Sequence, residues 1–173
     1  MIPRYEMKDV SNIWTDEFKF KTFLEVETHL LEALENQNVI PHGIAKHIKA
    51  NVKINPDRIL EIEKTTRHDV IAFCTSITEQ VPIEIGKYFH YGVTSSDIID
   101  SGLTIQIIAS LELVFKYYDQ FLITLKNKAI SNKDVMCLGR SHGIFAEPMS
   151  FGQKLLGHYA EFKRRYDDLK SFY

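Results

Sequence analysis

Cysteine, proline and glycine are all scarce in this chain of 173 residues, at two, five and eight. Cys74 and Cys137 stand far apart and form no CxxC pair, which excludes a disulfide framework and a paired-thiol redox motif. Both read as reduced packing thiols in a cytoplasmic protein. With so few turn formers, alternating strand-like runs bounded by hairpin turns are nearly absent. Only "VMCLGR" reads as a short extended piece. No apolar run approaches the roughly 20 residues a membrane-spanning helix needs. The first ten residues lack the basic-then-apolar pattern of a secretory signal. The net charge of −2 gives no global pull toward nucleic acid or anionic lipid, so neither is expected as a partner. A few arginines could still hold an anionic small molecule. HExxH, GxGxxG and the phosphate-binding P-loop are also missing. His42 and His47 have no cysteine or carboxylate set nearby, which argues against zinc. Ser141 beside His142 is not read as a hydrolase arrangement. His29 and His158 fall within helical stripes, as packing or surface residues.

What is present is helical periodicity. "TDEFKFKTFLEVETHLLEALENQ" puts Phe20, Phe23, Leu24, Leu30, Leu31 and Leu34 on one stripe. Thr15 is its N-cap, and Pro41 starts the next short helix. Asn55 and Pro56 open another, and "DVIAFCTSITEQV" is a fourth, ending before Pro82. From Asp97 to Ala129 the chain runs without proline and is apolar on several faces. A helix of that length spans on the order of 50 Å, whereas a compact chain of this size has a radius of gyration of about 16 Å. It therefore requires neighbours beyond its own chain. A last helix is expected from Pro148 to the final residue, where neither cap nor proline ends it, so a truncated chain is expected. The fold class expected is all-α. A helical domain over 1–96 is followed at 97–173 by the first long helices of an incomplete bundle.

Four stretches break the periodicity, each at an element boundary, where functional groups concentrate. "PRY" offers the Arg4 fork and the Tyr5 ring and hydroxyl, or else surface decoration. "TTRHDV" places Arg67, His68 and Asp69 at a helix start, as a site or as a cap with a solvated Arg-His pair. "HYGVTSSDIID" brings His90, then Thr94, Ser95 and Ser96 at the mouth of the long helix, an anion site or an ordinary cap. "GRSHGIFAEP" holds Arg140, Ser141 and His142. An imidazole there can exchange a proton near neutral pH, or can be a structural histidine of a tight turn.

Taken in order, these stretches resemble the N-terminal part of the adenylosuccinate lyase family, within the fumarase/aspartase superfamily. "MIPRY", "TTRHDVIAF", "HYGVTSSDIID" and "GRSHGIFAEPMSFG" resemble its Arg-Tyr, Arg-His-Asp, His-x-Gly-x-Thr-Ser-Ser-Asp and Gly-Arg-Thr-His-Gly stretches. The last motif type recurs across the superfamily, while the middle two together are more specific to this family. The resemblance implies a two-step elimination. A base takes a proton from the succinyl Cβ, the resulting aci-carboxylate is held by hydrogen-bond donors, and an acid protonates the departing nitrogen as fumarate leaves. It implies small-molecule substrates, adenylosuccinate and succinyl-aminoimidazole-carboxamide ribotide, and no metal or organic cofactor. It also implies a homotetramer of pooled long helices, with active sites where three subunits meet.

By the same resemblance His142 is the general acid and His68 its partner in contact with substrate. Arg4, Tyr5, Arg67 and Asp69 lie on the nucleotide side. Thr94 and Ser95 bind the succinyl carboxylates, and His90, Ser96 and Ser141 are supporting. Ser141 stands where the family usually has threonine, which keeps the hydroxyl. Phe145 replaces a frequent second histidine, and Met149 a common threonine. The family's mobile loop with the serine base would lie beyond residue 173, so this chain alone is not expected to turn over. Two alternatives stay open: an argininosuccinate lyase-like enzyme, against which Arg-His-Asp counts, and a non-catalytic helical module stabilised by self-association.

Overall fold

The computed structural model describes residues 2–173, Pro3 by its backbone only. The chain forms two compact units, Met1–Ser110 and Leu111–Tyr173. The expected helical fold is found, with one small sheet added.

The first unit begins with a 3-10 turn at Pro3–Tyr5. There follow α1 (Lys8–Ile13), α2 (Asp16–Asn36), α3 (Ile44–Asn51), α4 (Pro56–Thr66), α5 (Asp69–Thr78), α6 (Ile83–Gly86) and the start of α7 (Ser95–Ser131). Local chemistry sets several of these boundaries. Thr15 caps α2 by accepting the N–H of Phe18, and Asn55 caps α4 by accepting that of Arg58, with Pro56 in the first turn. Pro41 does not start α3. That helix begins at Ile44 behind Gly43, whose φ of 97° suits a residue without a Cβ.

Phe20 and Phe73 stack at 6.0 Å in the core of this unit, and Phe23 meets both edge-on. Leu31, Ile48, Ile59 and Ile98 close around them, each at most 1% exposed. Burying each such side chain contributes roughly 1.5–3 kcal/mol.

In the second unit α7 continues from Leu111, followed by β1 (Met136–Ser141), β2 (Ile144–Ser150) and α8 (Phe151–Phe172). Phe115 and Leu122 of α7 pack with Tyr166 of α8, and Phe121 meets Phe162 edge-on at 4.9 Å. The strands pair antiparallel from Met136↔Ser150 to Ser141↔Ile144, with a bulge between Leu138 and Arg140. Two expectations are corrected here. The extended piece is a full hairpin, and α8 starts at Phe151 rather than Pro148, because Pro148 pairs with Leu138 beside the bulge, where a strand tolerates proline. Ser150 then caps α8 by accepting the N–H of Gln153 at 3.3 Å.

The count of uninterrupted apolar residues needs one addition. By length and composition α7 is apolar enough to cross a bilayer. Counting uninterrupted apolar residues missed this, because serine, threonine and glutamine punctuate the helix. One face of its first half nevertheless belongs to a protein core: Ile98 is 1% exposed, and buried Gln106 donates from Nε2 to the carbonyl of Ile13 at 2.7 Å, while Leu103, Ile107 and Ile108 on its other faces are exposed. Further along, Ile123 and Ile130 remain exposed.

Candidate active site

The sharpest geometry lies where α4 turns into α5. Arg67 ends α4 in the left-handed region, φ 53°, and stands exposed. The next residue is already the N-cap of α5, where His68 Nδ1 accepts the N–H of Ile71 at 3.3 Å. A ring nitrogen that accepts carries no proton, so the neutral ring is protonated on Nε2. That nitrogen faces Ser95 Oγ at 3.3 Å. Asp69 Oδ1 stands 3.5 Å from the occupied Nδ1 and accepts the N–H of Val70 at 2.8 Å, placing its charge at the positive end of α5.

Ser95 is free to face His68 because it does not cap its own helix. The residue before α7, Thr94, gives its N–H to Asp97 Oδ2 at 2.8 Å, and its carbonyl accepts the N–H of Asp97 at 3.0 Å. The side chain at the third helical position thus reaches back to the cap, half of a capping box. Thr94 and Ser96 are exposed at the helix mouth. The approach to this mouth passes through two left-handed residues, His90 at φ 61° and Gly92 at φ 78°.

His90 leads to a residue that the sequence reading missed. Glu27 of α2 is wholly buried, and its carboxylate takes both the Nδ1 of His90, at 2.5 Å, and the His90 backbone N–H, at 3.2 Å. Burial pushes the Glu27 carboxyl above its ordinary range, and contact with His90 works against that rise. The signal was present: position 27 continues the stripe of 20, 23, 24 and 31, so a carboxylate there faces the core. Cys74 is the third group of this cluster, its thiol pushed up to about 12 by burial first and by Glu27 second. A carboxylate, a thiol and an imidazole with donor atoms within 4.8 Å of one another could in principle hold a metal. The fit is poor, because Glu27 and His90 already bond each other and a metal needs the thiolate of Cys74.

The other sequence candidates lie elsewhere. Arg4 places its guanidinium 4.9 Å from the ring centre of exposed Tyr5. Tyr5 also lines an open groove of about 500 Å³ with Met7, Val10 and Trp14. Ser141 and His142 belong to the second unit, both exposed. His142 (φ 52°) and Gly143 (φ 77°) form the two-residue turn between β1 and β2, and two positive φ values match the right-handed twist of the strands. Gly139 to Gly143 spells Gly-x-Ser-x-Gly, a pattern the sequence reading passed over when it set a hydrolase aside. Ser141, however, ends a strand that turns into another strand, whereas a hydrolase nucleophile needs a strand-to-helix elbow.

A family model described as Lyase matches residues 4–173. The chain belongs to this lyase family. Among curated relatives it is similar to the adenylosuccinate lyase of Synechocystis sp., 43% identical over 98% of this chain and 39% of that protein. It is also similar to that of Bacillus subtilis, 40% identical over 98% of this chain and 39% of that protein. The chain thus spans about two fifths of the length of these relatives. Among solved structures it superposes on a fumarate lyase from Mesorhizobium sp. with a TM-score of 0.88, covering 94% of this chain and 39% of that one. At 22% identity that likeness shows the fold alone. A beta-carboxy-cis,cis-muconate cycloisomerase from Acinetobacter calcoaceticus superposes with a TM-score of 0.85 at 26% identity, over 95% of this chain and 40% of that one.

Proposed function

We propose that the full-length protein carrying this chain is an adenylosuccinate lyase. It releases fumarate from adenylosuccinate, giving AMP, and from succinyl-aminoimidazole-carboxamide ribotide, as a cytoplasmic homotetramer in purine biosynthesis. The observation that carries this reading is the identity of 40–43% to curated adenylosuccinate lyases over nearly the whole chain. The approach of Ser95 to His68 supports it, since it joins the two stretches most specific to that family.

In this reading the first turn of α7 receives a succinyl carboxylate. Its unpaired N–H groups and the hydroxyls of Thr94 and Ser95 are donors, and donors aimed at developing negative charge stabilise the aci-carboxylate. His68 turns its protonated Nε2 into the same place. Arg67 and Asp69 flank it and, with Arg4 and Tyr5, hold the nucleotide. His142 is the acid that protonates the departing nitrogen, presented at the tip of a hairpin. His90, Ser96 and Ser141 support these groups. The exposed apolar faces of α7 and α8 pack against other copies in the tetramer. The base comes from a segment outside this chain.

A substrate comparison on the full-length protein tests the reading. Fumarate release from adenylosuccinate is expected to exceed release from argininosuccinate by at least about 100-fold, since a site built to bond one substrate's polar groups rejects another strongly. Preference for argininosuccinate would transfer the protein to the other lyase class. No turnover of either, with a stable oligomer that binds neither adenylosuccinate nor AMP, would leave only a self-association module.

A further inference from the structure

Among the described residues, Glu27 is the one charged side chain in the buried set. A carboxylate taken fully out of water must be bonded where it sits. Its bonds to His90 reach across 63 positions of sequence, and they grip that residue twice, by the ring and by the backbone. His90 needs such a grip. A residue with a Cβ is disfavoured at φ 61°, and left alone it would relax to an extended or right-handed conformation. Relaxation there would redirect the chain through Gly92 and shift the start of α7, where Ser95 meets His68. Glu27 is buried too deeply to reach a substrate at that mouth, so any influence it has passes through His90.

We infer that Glu27 is a positioning residue: through its double hydrogen bond to His90 it holds segment 90–95 so that the Ser95 hydroxyl faces His68 Nε2. The inference rests on the reading of His68 and Ser95 as site residues, but the geometry it concerns can be measured without turnover. Cys74, from α5, is the third group of this cluster, and its uncharged thiol supplies no competing ion pair.

The test uses this chain with Glu27→Gln, which keeps the side-chain volume and removes the charge. Imidazole nitrogen signals of His68 report the site, and amide hydrogen exchange reports segment 92–98, with α2, α4 and α5 as internal reference. The expected result is a shift of the His68 ring signals and exchange at 92–98 faster by about tenfold or more, while the reference helices keep their protection. Adding His90→Gly to Glu27→Gln should restore part of the protection at 92–98, because glycine adopts φ 61° without strain. A carboxylate that only fills the core would show no such rescue. Unchanged His68 signals and unchanged exchange at 92–98 would overturn the inference. So would protection lost evenly across the first unit, or failure of both Glu27→Gln and His90→Gln to fold, either of which makes Glu27 a core-stability group. An inactive full-length protein whose chain still shows the expected shifts would remove the lyase reading and leave the positioning role standing.

Discussion

Ser95 Oγ lies 3.3 Å from His68 Nε2, joining the first turn of α7 to the cap of α5 across 27 positions of sequence. His68 does two things at once, since its other nitrogen holds the N–H of Ile71. His68→Ala should therefore cost about 1 kcal/mol of stability through the lost cap. Ser95→Ala should cost less. The two should couple by roughly 0.5 kcal/mol in a double-mutant cycle read by urea unfolding, the size of a net, partly exposed hydrogen bond. Strict additivity would mean that the pair makes no bond in solution.

Gly152 and Gly157, both in α8, should respond oppositely to alanine. A Cβ at Gly152 would run into the carbonyl oxygen of Ala129 and stand 2.7 Å from Lys133 Cα, backbone that cannot step aside cheaply. Gly152→Ala should destabilise by roughly 1–3 kcal/mol, as overpacking does. A Cβ at Gly157 meets nothing within 4 Å, and Gly157→Ala should stabilise by up to about 1 kcal/mol through helix propensity. Thermal unfolding of the two variants reads both signs.

Arg58 holds Glu79 with two bonds of 2.9 Å, Nε to Oε1 and Nη2 to Oε2. The guanidinium lowers the Glu79 carboxyl below its ordinary 4.5. Below that value the unfolded chain binds the proton more readily than the folded one, so the pair's contribution is complete above pH 4.5 and fades as pH falls through the lowered value. Both side chains are substantially exposed, so the effect is small and sensitive to salt. Glu79→Gln should lower the urea midpoint at pH 7 and have a smaller effect near pH 3. An equal difference at both pH values would show that the bidentate pair is not held in solution.

Much of the helical frame was legible because its causes are local. The caps at Thr15 and Asn55 act within one turn of their own positions, and the long helix expected over Asp97–Ala129 is found at Ser95–Ser131. The hairpin was half seen. Its strands are mostly exposed, with only a faint alternation at half-buried Cys137 and Gly139 of β1, and Pro148 reads more naturally as a helix start than as a residue beside a bulge. The His68–Ser95 contact was not legible as geometry, since nothing in a spacing of 27 says that two helix ends meet. Glu27 was legible in part: its place on an apolar stripe announces a buried carboxylate. Its partner, 63 residues on in a left-handed conformation, belongs to tertiary structure alone.

The role of His142 offers the most direct test of the lyase account. Turnover of adenylosuccinate by the full-length protein should be compared with that of His142→Ala at matched oligomer content. An acid that protonates the leaving nitrogen contributes about 10²–10⁴-fold to the rate. The account predicts a loss of that size in kcat, with KM changed little and the assembly intact. Near-normal turnover by His142→Ala would contradict it.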